Sequence, residues 1–130
     1  MRDSIPTIQI ALSIGVGGFV GALARWATTC AAVAAFGPRW PVGTFIANGL
    51  GCLVLGALRP WSVDGHALVY AALLTGFCGA YTTFSTFALD AWMLNREVGR
   101  GAAVAYLAAS VLTGLCLLIV GLRLGEGWRG

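Results

Sequence analysis

Apolar residues fill four runs along the chain, about Ile8–Ala32, Val42–Leu58, Ala67–Leu94 and Ala102–Leu122. A bilayer core takes roughly 20 helical residues to cross, so the pattern predicts an all-α membrane protein of four transmembrane helices. Helix breakers and charges collect between the runs: Gly37-Pro38-Arg39-Trp40-Pro41, then Arg59-Pro60-Trp61 with Asp64, then Asn95-Arg96-Glu97 with Arg100. Trp26, Trp40, Trp61, Trp92 and Trp128 fall near the predicted span ends, where an interfacial aromatic belt belongs. The first run lacks a small-residue cleavage site behind a short apolar core, so it is expected to remain as a span. No tandem repeat is visible.

Composition narrows the picture. The 130 residues are 58% hydrophobic and 10% charged, with a mean hydropathy of +0.85. That leaves one transmembrane domain, 1–130, and little chain for a soluble catalytic one. The net charge is +3 with no lysine, but the arginines are spread over loops and termini, which argues against nucleic acid. With four spans, Arg2, Arg59, Arg123 and Arg129 fall on one side, and Arg39, Arg96 and Arg100 on the other, joined by Arg25 if it lies near the end of its span. So even a split gives the positive-inside rule little to act on. Two copies inserted in opposite senses could then pair about an axis in the membrane plane; a weakly biased but fixed orientation is the alternative. Cys30, Cys52, Cys78 and Cys116 form no C-x-x-C pair and are expected to be small buried hydrophobes. His66, beside Asp64 and Gly65, reads as a solvated loop residue.

The polar residues inside the runs carry the candidate chemistry. In the first, Gly17 and Gly21 have the G-x-x-x-G spacing of closely packed helices. Arg25, one turn on, serves a watery pore mouth or an interfacial anchor. In the second, Asn48 lies near mid-span, flanked one turn away by Thr44 and Cys52; it faces a polar interior or bridges two helices. In the fourth, Tyr106, Ser110 and Thr113 form a hydroxyl stripe, although single hydroxyls in such helices often bond back to the preceding turn.

The third run reads GFCGAYTTFSTF from Gly76 to Phe87. Gly76 and Gly79 weaken a helix, while Thr82, Thr83, Ser85 and Thr86 offer backbone groups other partners, so the helix is expected to break near its middle. Bare backbone at that depth belongs in protein or beside water, where its carbonyls and amides can bind ions. Phe84 and Phe87 share a face beyond the break, with Asp90 a turn further; core or lipid packing is the alternative for this pair. Asn48, Ser110 and Gly79 to Thr83 fall at similar depth. Together they predict an uncharged polar track suited to a small ion or water, and poorly suited to proton-coupled carriage.

With these residues together, the chain resembles the Fluc/CrcB fluoride ion channel family through GGFVGALARW from Gly17 to Trp26, GTFIANGLG from Gly43 to Gly51, GFCGAYTTFSTF, and AYLAAS from Ala105 to Ser110. The third motif is the most specific. The resemblance implies a dual-topology antiparallel homodimer with two fluoride pores and a structural sodium ion at its interface. It implies that the carbonyl oxygens of Gly79 and Thr82 hold the sodium, and that Phe84 and Phe87 turn ring edges to the anion. Asn48 corresponds to the pore amide, with Thr83, Ser85, Tyr106 and Ser110 as further hydrogen-bond donors and Arg25 as a vestibule residue. Two positions depart from the family: Ala80 where a glycine is usual, and Asp90 where a glutamate is common.

The function implied is passive fluoride export across the bacterial plasma (inner) membrane, which relieves fluoride toxicity without any enzymatic step. Fluoride, a second copy and membrane lipid are the expected partners. The rival is a small multidrug-resistance-type proton-coupled exporter, which needs a membrane-embedded glutamate in the first span; no acid occurs between Ile8 and Trp26.

Overall fold

The computed structural model describes residues 6–60 and 66–127, so Arg2, Trp61, Asp64, Gly65, Trp128 and Arg129 lie outside the described residues. Every regular element among those described is helical. Helix α1, Thr7–Phe36, starts after Pro6 and ends at Gly37, whose φ of 78° is open to glycine and whose N–H bonds the Val33 carbonyl at 2.8 Å. Helix α2, Val42–Leu58, follows Pro41. The third run is composite: α3, Ala67–Tyr70; a π-helical stretch, Ala71–Cys78; α4, Gly79–Tyr81; and, after two extended residues, α5, Phe84–Glu97. Gly99, at φ 130°, turns the chain into α6, Arg100–Gly127.

Three stretches are long and apolar enough to cross a membrane: Thr7–Phe36, Ala67–Glu97 and Arg100–Gly127. This is a multi-pass membrane protein. The apolar α2 is shorter, with 17 residues, about 25 Å at 1.5 Å per residue.

Small residues make the packing. Helix α1 lies against the π stretch and α2 against α6. A Cβ on Gly17 would run into the Ala72 carbonyl, one on Gly21 into the Phe77 carbonyl, and one on Gly76 back into Ile14 and Gly17. The Gly17/Gly21 spacing therefore marks a contact within the chain, where two backbones approach too closely for any side chain. Gly56 and Gly121 set the same approach between α2 and α6. Among the described residues no large side chain is fully buried; Ala47, Cys78 and Leu94 are among the most buried apolar ones. Bulky apolar groups point outward, as they do when the surroundings are lipid tails rather than water.

Trp26 lies ten residues before the end of α1 at Phe36 and is 68% exposed. One expectation is corrected here. Only Cys78 is a buried cysteine: Cys52 is half-buried, and Cys30 and Cys116 are exposed, because the faces of α1 and α6 that carry them turn away from the bundle. Trp40 precedes α2, and Trp92 lies near the end of α5 with the Arg96 guanidinium 4.9 Å from its ring centroid.

Candidate functional site

The site forms where the third run leaves helical geometry. Thr82 (φ −84°, ψ 160°) and Thr83 (φ −154°, ψ 125°) are extended, a conformation their β-branched side chains favour. Neither glycine is itself the point of departure: Gly76 lies in the π stretch, and Gly79 is helical at φ −62°, ψ −36°. The last bond of the incoming helix runs from the Thr82 N–H to the Cys78 carbonyl at 3.0 Å, and the Thr82 hydroxyl donates to the same oxygen at 2.9 Å. Beyond it, the Thr83 Oγ1 accepts from the Thr86 N–H at 3.3 Å, capping α5, and donates to the Thr86 hydroxyl at 3.2 Å.

Two other helices grip these extended residues. From α2, the Asn48 Oδ1 accepts the Thr83 N–H at 2.8 Å, and the Asn48 Nδ2 donates to the Thr83 carbonyl at 3.1 Å. One amide side chain thus pairs with both main-chain groups of one residue, as a neighbouring strand would. From α1, an Arg25 guanidinium N–H points to the Thr82 carbonyl at 3.5 Å, which sets Arg25 level with the extended pair. One turn on, the Thr28 and Tyr81 hydroxyls pair at 3.0 Å.

Aromatic rings line the outgoing side. Phe84 and Phe87 stand 5.9 Å apart between centroids, tilted by 50°, and Phe87 meets Tyr106 of α6 at 5.5 Å and 45°. The Tyr106 hydroxyl donates to the Asp90 Oδ2 at 3.5 Å. An aromatic ring carries a positive C–H edge and a negative face, and Phe84 and Phe87 both border one cavity.

A partly open cavity of about 400 Å³ collects most of the predicted residues: Asn48, Thr83, Phe84, Phe87 and Ser110, together with Gly79 and Thr82. The Ser110 Oγ is buried beside the Tyr106 hydroxyl and has no hydrogen-bond partner of good geometry. Three predicted residues lie apart from this cavity, Arg25 among them. Ser85 is exposed, with its hydroxyl 3.3 Å from the Thr83 Oγ1, and Tyr106 opens onto a second groove of about 360 Å³ beside Trp40 and Phe45. Cys52 and Cys78 also line the main cavity; the sequence places Cys52 on the face of Asn48, one turn away, whereas nothing in the sequence sets Cys78 apart from a packing residue. Among the described residues, no charged side chain lines this cavity, and no cluster of three His, Cys, Asp or Glu side chains is placed to hold a metal.

Residues 12–122 match the family model described as CrcB-like protein, Camphor Resistance (CrcB). The chain is 37% identical over 121 residues to a fluoride-specific ion channel FluC of Cereibacter sphaeroides, a match covering 93% of this chain and 98% of the relative. It is 38% identical over 122 residues to the fluoride-specific ion channel FluC of Chloroflexus aurantiacus, covering 92% and 97%. It is 41% identical over 113 residues to fluoride-specific ion channel FluC 2 of Yersinia pseudotuberculosis, covering 83% and 90%.

Proposed function

The chain belongs to the CrcB family, and on that footing we infer that the cavity beside Thr82 and Thr83 is the fluoride path of a passive ion channel. The observation that carries this reading is the lining itself. Donor and ring-edge groups from three separated stretches converge on one space with no fixed charge in it. Fluoride is small and strongly hydrated, so a selective path must replace its water shell with N–H, O–H and polarised C–H groups, yet hold it weakly enough for release. The Asn48 Nδ2 has one N–H engaged by Thr83 and one to offer. The Ser110 hydroxyl has no hydrogen-bond partner of good geometry among the described residues, and Phe84 and Phe87 line the same space, where positive ring edges would meet an anion. Hydrogen fluoride enters a cell neutral and ionises inside; an open path returns the trapped anion to the outside down its gradient. In this reading the bacterial inner membrane is the site of action, and no reaction is catalysed. The relatives' names favour the channel, and no observation favours a proton-coupled exporter.

The same reading assigns the protein a second copy and a sodium ion. The Gly79 and Thr82 carbonyl oxygens are hard, neutral ligands, which suit a hard cation. The Thr83 N–H, the helical partner of the Gly79 carbonyl, is directed to Asn48 instead, so that carbonyl keeps its lone pairs available. Gly79 is exposed, with nothing within 4 Å of where a Cβ would stand. Two oxygens are too few to replace a cation's hydration shell, whereas two copies related by a two-fold axis supply four. Phe84, exposed over 79% of its surface, is accounted for by the same pairing. The Gly79 and Thr82 carbonyls of each copy would hold the ion, whose positive charge would offset the repulsion between these oxygens.

Purified protein reconstituted in liposomes tests the function: rapid, voltage-driven fluoride efflux with chloride retained is the expected result. Proton-coupled uptake of cationic drugs, or no flux at all, would overturn it.

A further inference from the structure

We propose that Asn48 is a positioning residue for the cation as well as a donor on the anion path: by taking the Thr83 N–H, it keeps the Gly79 carbonyl free to bind sodium. This rests on the sodium reading above. In an unbroken helix the N–H of residue 83 closes on the carbonyl of residue 79. Here the preceding bond, Thr82 N–H to Cys78 carbonyl, is intact at 3.0 Å, while the next is diverted to the Asn48 Oδ1 at 2.8 Å. No other donor among the described residues takes its place at Gly79. The diversion is held at both ends, because the Asn48 Nδ2 also secures the Thr83 carbonyl at 3.1 Å. A main-chain N–H at membrane depth must have an acceptor. With the amide gone, the acceptor next available along the chain is the Gly79 carbonyl, reached when Thr82 turns from ψ 160° into the helical region. The helix would then close over the bond and consume the oxygen the cation needs.

Two substitutions separate the two duties of this side chain. Asn48→Ala removes both halves of the clasp. Asn48→Asp retains an oxygen that accepts the Thr83 N–H but loses the donor and places a negative charge on the anion path. Binding of radioactive ²²Na⁺ to the full chain in detergent or lipid is measured alongside fluoride efflux from liposomes. The wild type is expected to bind sodium. Asn48→Ala should weaken binding at least about tenfold, and Asn48→Asp should bind within about threefold of wild type while fluoride efflux falls at least about tenfold. If the wild type binds and Asn48→Ala binds equally well, the inference fails while the sodium reading stands. If the wild type binds none, the sodium reading itself has failed. Should Asn48→Ala not fold, Asn48→Asp still decides: loss of sodium binding in that folded variant overturns the proposal.

Discussion

A few side chains decide what the cavity can do. Phe84 and Phe87 offer positive ring edges, so replacing either by isoleucine keeps apolar bulk but removes the quadrupole. Fluoride efflux from liposomes should fall about tenfold or more if each edge contributes about 1.4 kcal/mol to the ion's stabilisation, with the protein's elution from a sizing column unchanged. Ser110→Ala deletes a hydroxyl that has no hydrogen-bond partner of good geometry; thermal stability should stay within about 0.5 kcal/mol of wild type while efflux drops. Unchanged efflux would remove Ser110 from the path. Asn48, Thr83 and Ser110, which line the cavity, were legible in the sequence as polar groups inside apolar runs, whereas the ion-binding roles of Gly79, Phe84 and Phe87 came from the family resemblance. Their partners were not legible. That Asn48 spends its carbonyl and one N–H on Thr83, or that Thr28 reaches Tyr81, depends on how helices distant in sequence are rotated against one another.

At the level of the helices, four apolar runs announced themselves by hydropathy, and the glycine spacing of α1 announced close packing. What sequence could not supply was the partner surface. The π stretch Ala71–Cys78 fits between the carbonyl contacts that Gly17 and Gly21 permit, and no local propensity encodes a π turn. The change to extended backbone falls at Thr82 and Thr83 rather than at a glycine, because Asn48 and the Thr83 cap satisfy the groups that leave the helix. Two predictions belong here. Gly21→Ala places a methyl against the Phe77 carbonyl and should destabilise the fold by about 1–3 kcal/mol, read as a lower midpoint of thermal aggregation. Gly15→Ala, where a Cβ meets nothing within 4 Å, should leave that midpoint unchanged. Thr83→Val removes the α5 cap while keeping the β-branch and should cost about 1 kcal/mol.

For the molecule as a whole, an even division of arginines predicts insertion in both senses. With the four native cysteines replaced by alanine, a single reactive thiol introduced by Glu126→Cys, near the end of α6, should be labelled by an impermeant maleimide in about half the molecules of sealed vesicles; uniform labelling or uniform protection would show one fixed orientation. The shortness of α2 has its own consequence. At about 25 Å, the 17 residues of α2 fall short of a hydrocarbon core of about 30 Å, a mismatch that lipid meets by thinning or flanking residues meet by reaching to the interface. One elementary charge crossing 100 mV exchanges about 2.3 kcal/mol. On the channel reading, thinning beside α2 would steepen that drop along the anion's path, and ordinary cell voltage would set the direction of its passage.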